Sequence, residues 1–115
     1  MATPLVLRPR ADRDIDELVG WLRAESPPSA AAFLDQLEAA FERLALFPDS
    51  GSTRHATRVP GLPVPLRFLP VSPTRFPRLL IYYLPFETHI DVIRVWDAAR
   101  GLEALLESAG DPAAG

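Results

Sequence analysis

The side chains of this sequence that can do chemistry gather in its second half, and arginine dominates them. The stretch VIRVWDAARG, residues 92–101, carries Arg94, Trp96, Asp97 and Arg100. Upstream, the loop STRHATR brings Arg54, His55 and Arg58 close together, and Arg67 follows Leu66 in a further apolar run. Guanidinium groups bind phosphate or carboxylate through paired N–H donors, so two arginines converging on one surface make an anion site. The competing reading pairs each arginine with a nearby acid such as Glu87, Asp91 or Asp97. Trp96 suits a packing position, or a binding hot spot if it shares an open face with Arg94. Asp97 is a possible base, although exposed carboxylates are weak bases at neutral pH. His55 and His89 read most simply as surface residues. Of Tyr82 and Tyr83, which point to opposite faces of a strand, one belongs to the core and the other can line a cleft.

Several chemistries are excluded. There is no cysteine, so neither a disulfide nor a thiolate metal site can form. The two histidines leave little for imidazole ligation, and no Gly-rich phosphate loop or motif-flanked nucleophile is present. No cofactor or metal is expected and no catalytic residue is assigned. Arg67, Arg94 and Asp97 are the weak candidates should the chain be a nuclease. All 12 basic residues are arginine, and their distribution is uneven. Residues 1–50 sum to −4 and residues 51–100 to +4, inside a total of −3. If the halves form different surfaces, one can attract an acidic partner or a phosphate backbone; the alternative is scattered surface charge. No charge-free apolar run approaches the ~20 residues of a membrane span, and no signal-peptide stretch opens the chain, so a cytoplasmic protein is expected.

The elements that must position these residues follow from periodicity. PLVLRP (4–9) predicts a short strand suited to a sheet edge. Asp12 or Asp14 is placed to cap a helix in which Ile15, Leu18, Val19 and Leu22 form one stripe. SPPS (26–29) stops it, and Ser29 caps a second helix running to about Phe47, with Leu34, Leu37, Phe41 and Leu44 on one stripe and Phe33 beside it. After the turn residues Pro48, Asp49 and Gly51 come three strands, at 66–69, 78–84 and 90–96, joined by hairpin-type loops. The expected fold is α+β and two-layered: an N-terminal strand, then an antiparallel helical hairpin on one face of a curved, mainly antiparallel sheet (β-α-α-β-β-β), with the other face partly open. Residues 101–109 form a short C-terminal helix or tail; 1–110 make one domain and 111–115 a disordered end. Strand alternation puts Ile93 and Val95 with the helices and Arg94 and Trp96 on the open face.

Several pieces recur here in a familiar order: ADRDIDELVGWL (Ala11, Asp14, Ile15, Leu18, Trp21), AAFLDQLEAAFERLALFPDSG (Phe33, Leu37, Phe41, Leu44, Pro48, Gly51), Leu66–Arg67, PRLLIYY (77–83) and IRVWDAAR (93–100). Together they span most of the chain, and it resembles the RelE/ParE superfamily of type II toxin–antitoxin toxins, closest to the ParE branch. The resemblance implies a toxin held inactive in a hetero-oligomer by a cognate antitoxin, as in plasmid stabilisation systems. The antitoxin's C-terminal segment folds as it wraps the toxin, across the helical hairpin or against the arginine-bearing sheet face. ParE-like members poison DNA gyrase by binding it, and that is the function expected here. RelE-like members cut messenger RNA on the ribosome, using arginines for phosphate charge and a lysine, histidine, glutamate or tyrosine for proton transfer. Arg67 and Arg94 match such arginines, but the chain has no lysine and carries Asp97 where some members have histidine. A ribosome-dependent endonuclease, or a weakly toxic member that mainly binds its antitoxin, are the alternatives. Arg54, Arg58, Arg67, Arg94, Trp96 and Arg100 are the residues expected to meet antitoxin or target.

Overall fold

Two prolines decide where the helices begin. Proline is favoured at the first helical position, where its missing N–H is not needed. In the computed structural model, which describes residues 2–103 and 105, α1 (Pro9–Glu25) and α2 (Pro27–Leu46) both start that way. Ser26 ends one helix and opens the other, so the connection is one extended residue rather than the expected four, and Ser29 is already helical. Asp12 lies in the first turn of α1, where an acid complements the helix dipole, and Arg23 lies in the last. Asp14 is not a cap; it is buried inside the helix.

The strands are β1 (Leu5–Leu7), β2 (Arg67–Ser72), β3 (Phe76–Pro85) and β4 (Ile90–Asp97), in the sheet order β1-β4-β3-β2. β2, β3 and β4 form an antiparallel meander, and β1 joins the far edge parallel to β4. The sheet is open and mixed, covered on one face by the helical hairpin, as the α+β expectation had it. Phe33 of α2 meets Phe76 of β3 edge to face at 5.9 Å.

Two features depart from the expectation. First, β4 carries a β-bulge: Tyr82 pairs with Arg94 but Tyr83 pairs with Val92, which leaves Ile93 as the extra residue. The bulge breaks the alternation, so Val92 and Val95 pack with the helices whereas Ile93 joins Tyr82 and Trp96 on the opposite face. Second, that face is not open. Val59, Leu66, Phe68, Leu80 and Leu84 help build a second buried cluster on it, closed in part by Leu105. The cover comes from the segment VPGLPVPL (59–66), whose prolines cannot donate to a strand ladder and which crosses the face as irregular chain. The expected helix or tail at 101–109 lies partly outside the described residues, and the expected disordered end at 111–115 lies wholly outside them. Among the described residues no helix is long and apolar enough to cross a membrane.

Candidate functional site

β1 pairs only with residues 90–92 of β4, so farther along the strand α1 lies against the free edge. Asp14 is the residue that closes it. Its Oδ2 accepts the Val95 N–H at 3.1 Å, standing in for a neighbouring strand. The same carboxylate accepts from Arg94 twice, Nε to Oδ2 at 2.7 Å and Nη2 to Oδ1 at 2.9 Å. Arg94 is 4% exposed and Asp14 5%. The guanidinium also lies 4.7 Å from the centre of the Trp96 ring, and Arg100 stands 4.5 Å from the same ring. Trp96 is buried and its Nε1–H donates to the Gly101 carbonyl at 2.7 Å. Asp97 accepts the Ala99 N–H at 2.9 Å and caps the short turn Ala98–Arg100.

Arg67 and Arg94 therefore do not converge. Arg67 pairs across the sheet with Tyr83 and Arg94 with Tyr82; paired residues share a face, and the two tyrosines point opposite ways. Arg67 instead donates from Nη1 to the Asp49 and Gly51 carbonyls, at 2.9 Å each, and secures the turn after α2. Tyr83 fastens the same turn, donating to the Pro48 carbonyl at 2.8 Å and accepting from the Gly51 N–H at 2.9 Å. Burial pushes the Tyr83 hydroxyl pKa up. The partner of Arg94 is none of the acids near it in sequence, but one 80 residues away.

His55 is not a plain surface residue either. Its ring stacks on Phe68 at 4.5 Å, and its Nδ1 shares a hydrogen bond of 2.9 Å with the Tyr82 hydroxyl. Partial burial lowers its pKa below the usual histidine range, and the charges of Arg54 and Arg58 push the same way. Tyr82 is fully buried, and burial raises its hydroxyl to about 12. Arg54 lies over Phe68, and Arg58 pairs with Glu103 at 3.0 Å at the surface. His89 stacks against Phe86 at the start of β4. Among the described residues no cluster of histidine and acid is arranged to hold a metal.

A groove of about 700 Å³ lies between β1 and the two helices. Leu5, Ile15, Leu37 and Phe41 make its apolar floor, and Asp12, Glu38 and Glu42 line it as acids. Leu34 belongs to this groove and is 43% exposed; it is not the core residue its place on the stripe suggested. The buried line of α2 is Ala30, Phe33, Leu37, Ala40 and Leu44, so its apolar arc is wider than the sheet can cover. The surplus becomes the groove. That excess of apolar positions was a readable signal for the groove, and an acid at i+3 from Ala11 and i−4 from Leu18 was one for a buried partner of Asp14.

A family model described as the ParE toxin of the type II toxin-antitoxin system, parDE, matches residues 5–102. A search of curated proteins finds no match.

Proposed function

The chain belongs to the ParE toxin family of type II toxin–antitoxin systems, and from that premise we propose that it inhibits DNA gyrase by binding it and is neutralised by a cognate antitoxin in a hetero-oligomeric complex. The observation that carries binding over catalysis is the buried pair of Arg94 with Asp14. Turning Arg94 toward a phosphate leaves Asp14 as a buried charge without its partner, at a cost of about 3–5 kcal/mol. Arg67 is held on the other sheet face by the 49–51 turn. The three residues that a nuclease reading would enlist therefore have separate structural duties, Asp97 as a cap among them.

The groove supports the antitoxin half of the reading. A segment that folds on binding gains most where it can bury apolar side chains along a preformed trough. Beside the trough, β1 is an edge strand with Val6 exposed, so its outer side can take an added strand. The acids at the groove complement a segment with basic flanks. Of the arginines singled out in the sequence, Arg54, Arg58 and Arg100 are exposed and accessible to a partner.

The test is a supercoiling and DNA-cleavage assay on purified gyrase with the purified protein, run beside a ribosome-dependent RNA cleavage assay. Inhibited or DNA-trapped gyrase with intact RNA, relieved by the antitoxin, supports the proposal. Cut RNA with untouched gyrase overturns it.

One observation favours the nuclease as a second reading, at a different place from the arginines of β2 and β4. His55, held toward the neutral form and flanked in sequence by Arg54 and Arg58, has the character of a proton acceptor beside two guanidinium groups. In that reading His55→Ala abolishes RNA cleavage while the antitoxin complex survives.

A further inference from the structure

Trp21 is 52% exposed on α1, although tryptophan is among the costliest side chains to leave in water. It stands between two depressions. The larger, about 370 Å³, has Leu18 and Val95 as its apolar part and Asp14, Glu17, Asp97 and Arg100 around it. The smaller, about 180 Å³, is built on Leu22, Phe76 and Leu79 with Arg75 and Arg78 beside them. Trp21 and Asp97 line both, so the two are lobes of one cleft.

The charges of the larger lobe are unequally committed. Asp14 is neutralised by Arg94, and Arg100 lies against the face of Trp96. Asp97 spends one oxygen on the Ala99 N–H, and Glu17 is exposed with no ion-pair partner among the described residues. In the larger lobe two carboxylates thus stand with one guanidinium beside a half-exposed indole, while Arg75 and Arg78 line only the smaller lobe. The lining of this lobe suits an arginine or lysine side chain, with the half-exposed Trp21 ring for its stem and two carboxylates for its head.

The cleft is separate from the groove. At about 100° per residue along α1, Glu17 and Trp21 stand about 120–180° around the helix from Asp12 and Ile15, which line the groove, and Leu18 lies between them on the buried stripe. A segment seated in the groove leaves the cleft free.

We propose that the larger lobe of the Trp21 cleft is a second docking site, separate from the groove assigned to the antitoxin, and that it takes a cationic side chain from a basic segment of the toxin's protein target. The inference rests on the reading that the chain acts by binding a protein. It is tested in two arms on the full chain. In the first, the Trp21 indole N–H is followed by NMR during titration with N-acetyl-arginine amide and with the uncharged citrulline analogue. A saturable shift at Trp21 is expected, at least about ten-fold weaker with citrulline, and weakened about as much by Glu17→Gln. In the second, Trp21→Ala and Glu17→Arg are assayed for gyrase inhibition and for affinity to the cognate antitoxin. Loss of inhibition by at least about ten-fold, with antitoxin affinity within about two-fold of the parent, is expected. Both positions are exposed, so circular dichroism and thermal unfolding should match the parent and exclude misfolding.

Equal response to arginine and citrulline overturns the cleft as a cation seat, whatever gyrase does. Arginine selectivity in a parent protein that leaves gyrase active overturns the gyrase reading and keeps the seat, for another protein target. Variants that lose the antitoxin but still inhibit gyrase overturn the assignment of the cleft to the target.

Discussion

Arg94 of β4 and Asp14 of α1 form a two-point ion pair, 2.7 and 2.9 Å, between side chains that are each about 95% buried. It joins the helical hairpin to the sheet at the place where β1 stops and the edge of β4 would otherwise be bare. Removing one partner is expected to destabilise the fold by about 3–5 kcal/mol, because the other is left as an uncompensated buried charge. Replacing both together, as in Asp14→Leu with Arg94→Met, should cost clearly less than the sum of the single changes. Urea denaturation of the four proteins in a double-mutant cycle measures this. Additive losses would mean that the pair acts as two independent groups.

Gly51 and Tyr83 are matched with little room to spare. A Cβ on Gly51 would stand 2.5 Å from the Tyr83 hydroxyl and 2.9 Å from the Phe68 carbonyl oxygen. Gly51→Ala is therefore expected to lower stability by about 1–3 kcal/mol. Tyr83→Phe should cost a similar amount, about 1–3 kcal/mol, since it leaves the Pro48 carbonyl and the Gly51 N–H without their partner. Thermal unfolding reads both, and the double variant should relieve part of the clash.

Stability should fall on mild acidification through His55. Its folded pKa lies below the unfolded value, so between the two the unfolded chain binds more protons. The contribution of the neutral ring is complete above the unfolded value of about 6.5 and is lost as pH drops toward the folded one. His55→Gln, which keeps a polar group near Tyr82, should flatten the midpoint-against-pH curve in this window. An unchanged slope would mean that the imidazole titrates alike in both states.

The groove makes a prediction that separates binding from folding. Leu34 is partly exposed there and off the buried line of α2. Leu34→Glu should change stability by no more than about 0.5 kcal/mol. It should also weaken the cognate antitoxin by at least about ten-fold, because it puts a charge on an apolar contact surface that already carries acids. Calorimetric titration with purified antitoxin checks it; full affinity in the variant would place the antitoxin elsewhere.

Much of the architecture was legible because it depends on short-range periodicity. The helical stripe of Ile15, Leu18 and Leu22, the proline stop at 27–28, and the β-prone run through residues 79–84 each dictate an element without help from the rest of the chain. Their order, with the pieces resembling ParE toxins, was enough to indicate two layers and the family.

The site was less legible, and the reasons are specific. Strict alternation along β4 assigned Ile93 to the helices, but one bulged residue sends it to the other face. The two-layer reading, with one helical hairpin on one face, left the second face partly open, whereas a proline-rich segment with no periodicity of its own covers it. Arg94, read as an anion-binding residue or as the partner of a neighbouring acid, is instead taken by an aspartate 80 residues away.

By itself, then, the sequence determined which segments are helix and strand, their order, and the reserve of arginine in the second half, because these depend on neighbours within a few positions. Only the tertiary structure decided that Arg94 is consumed by Asp14, that Arg67 fastens a turn on the opposite face, and that Leu34 and Trp21 remain exposed to partners. Periodicity tells a residue which side of its own element it occupies. What stands on that side is set by how the elements pack, and there the cost of an unpaired buried charge selects the partner.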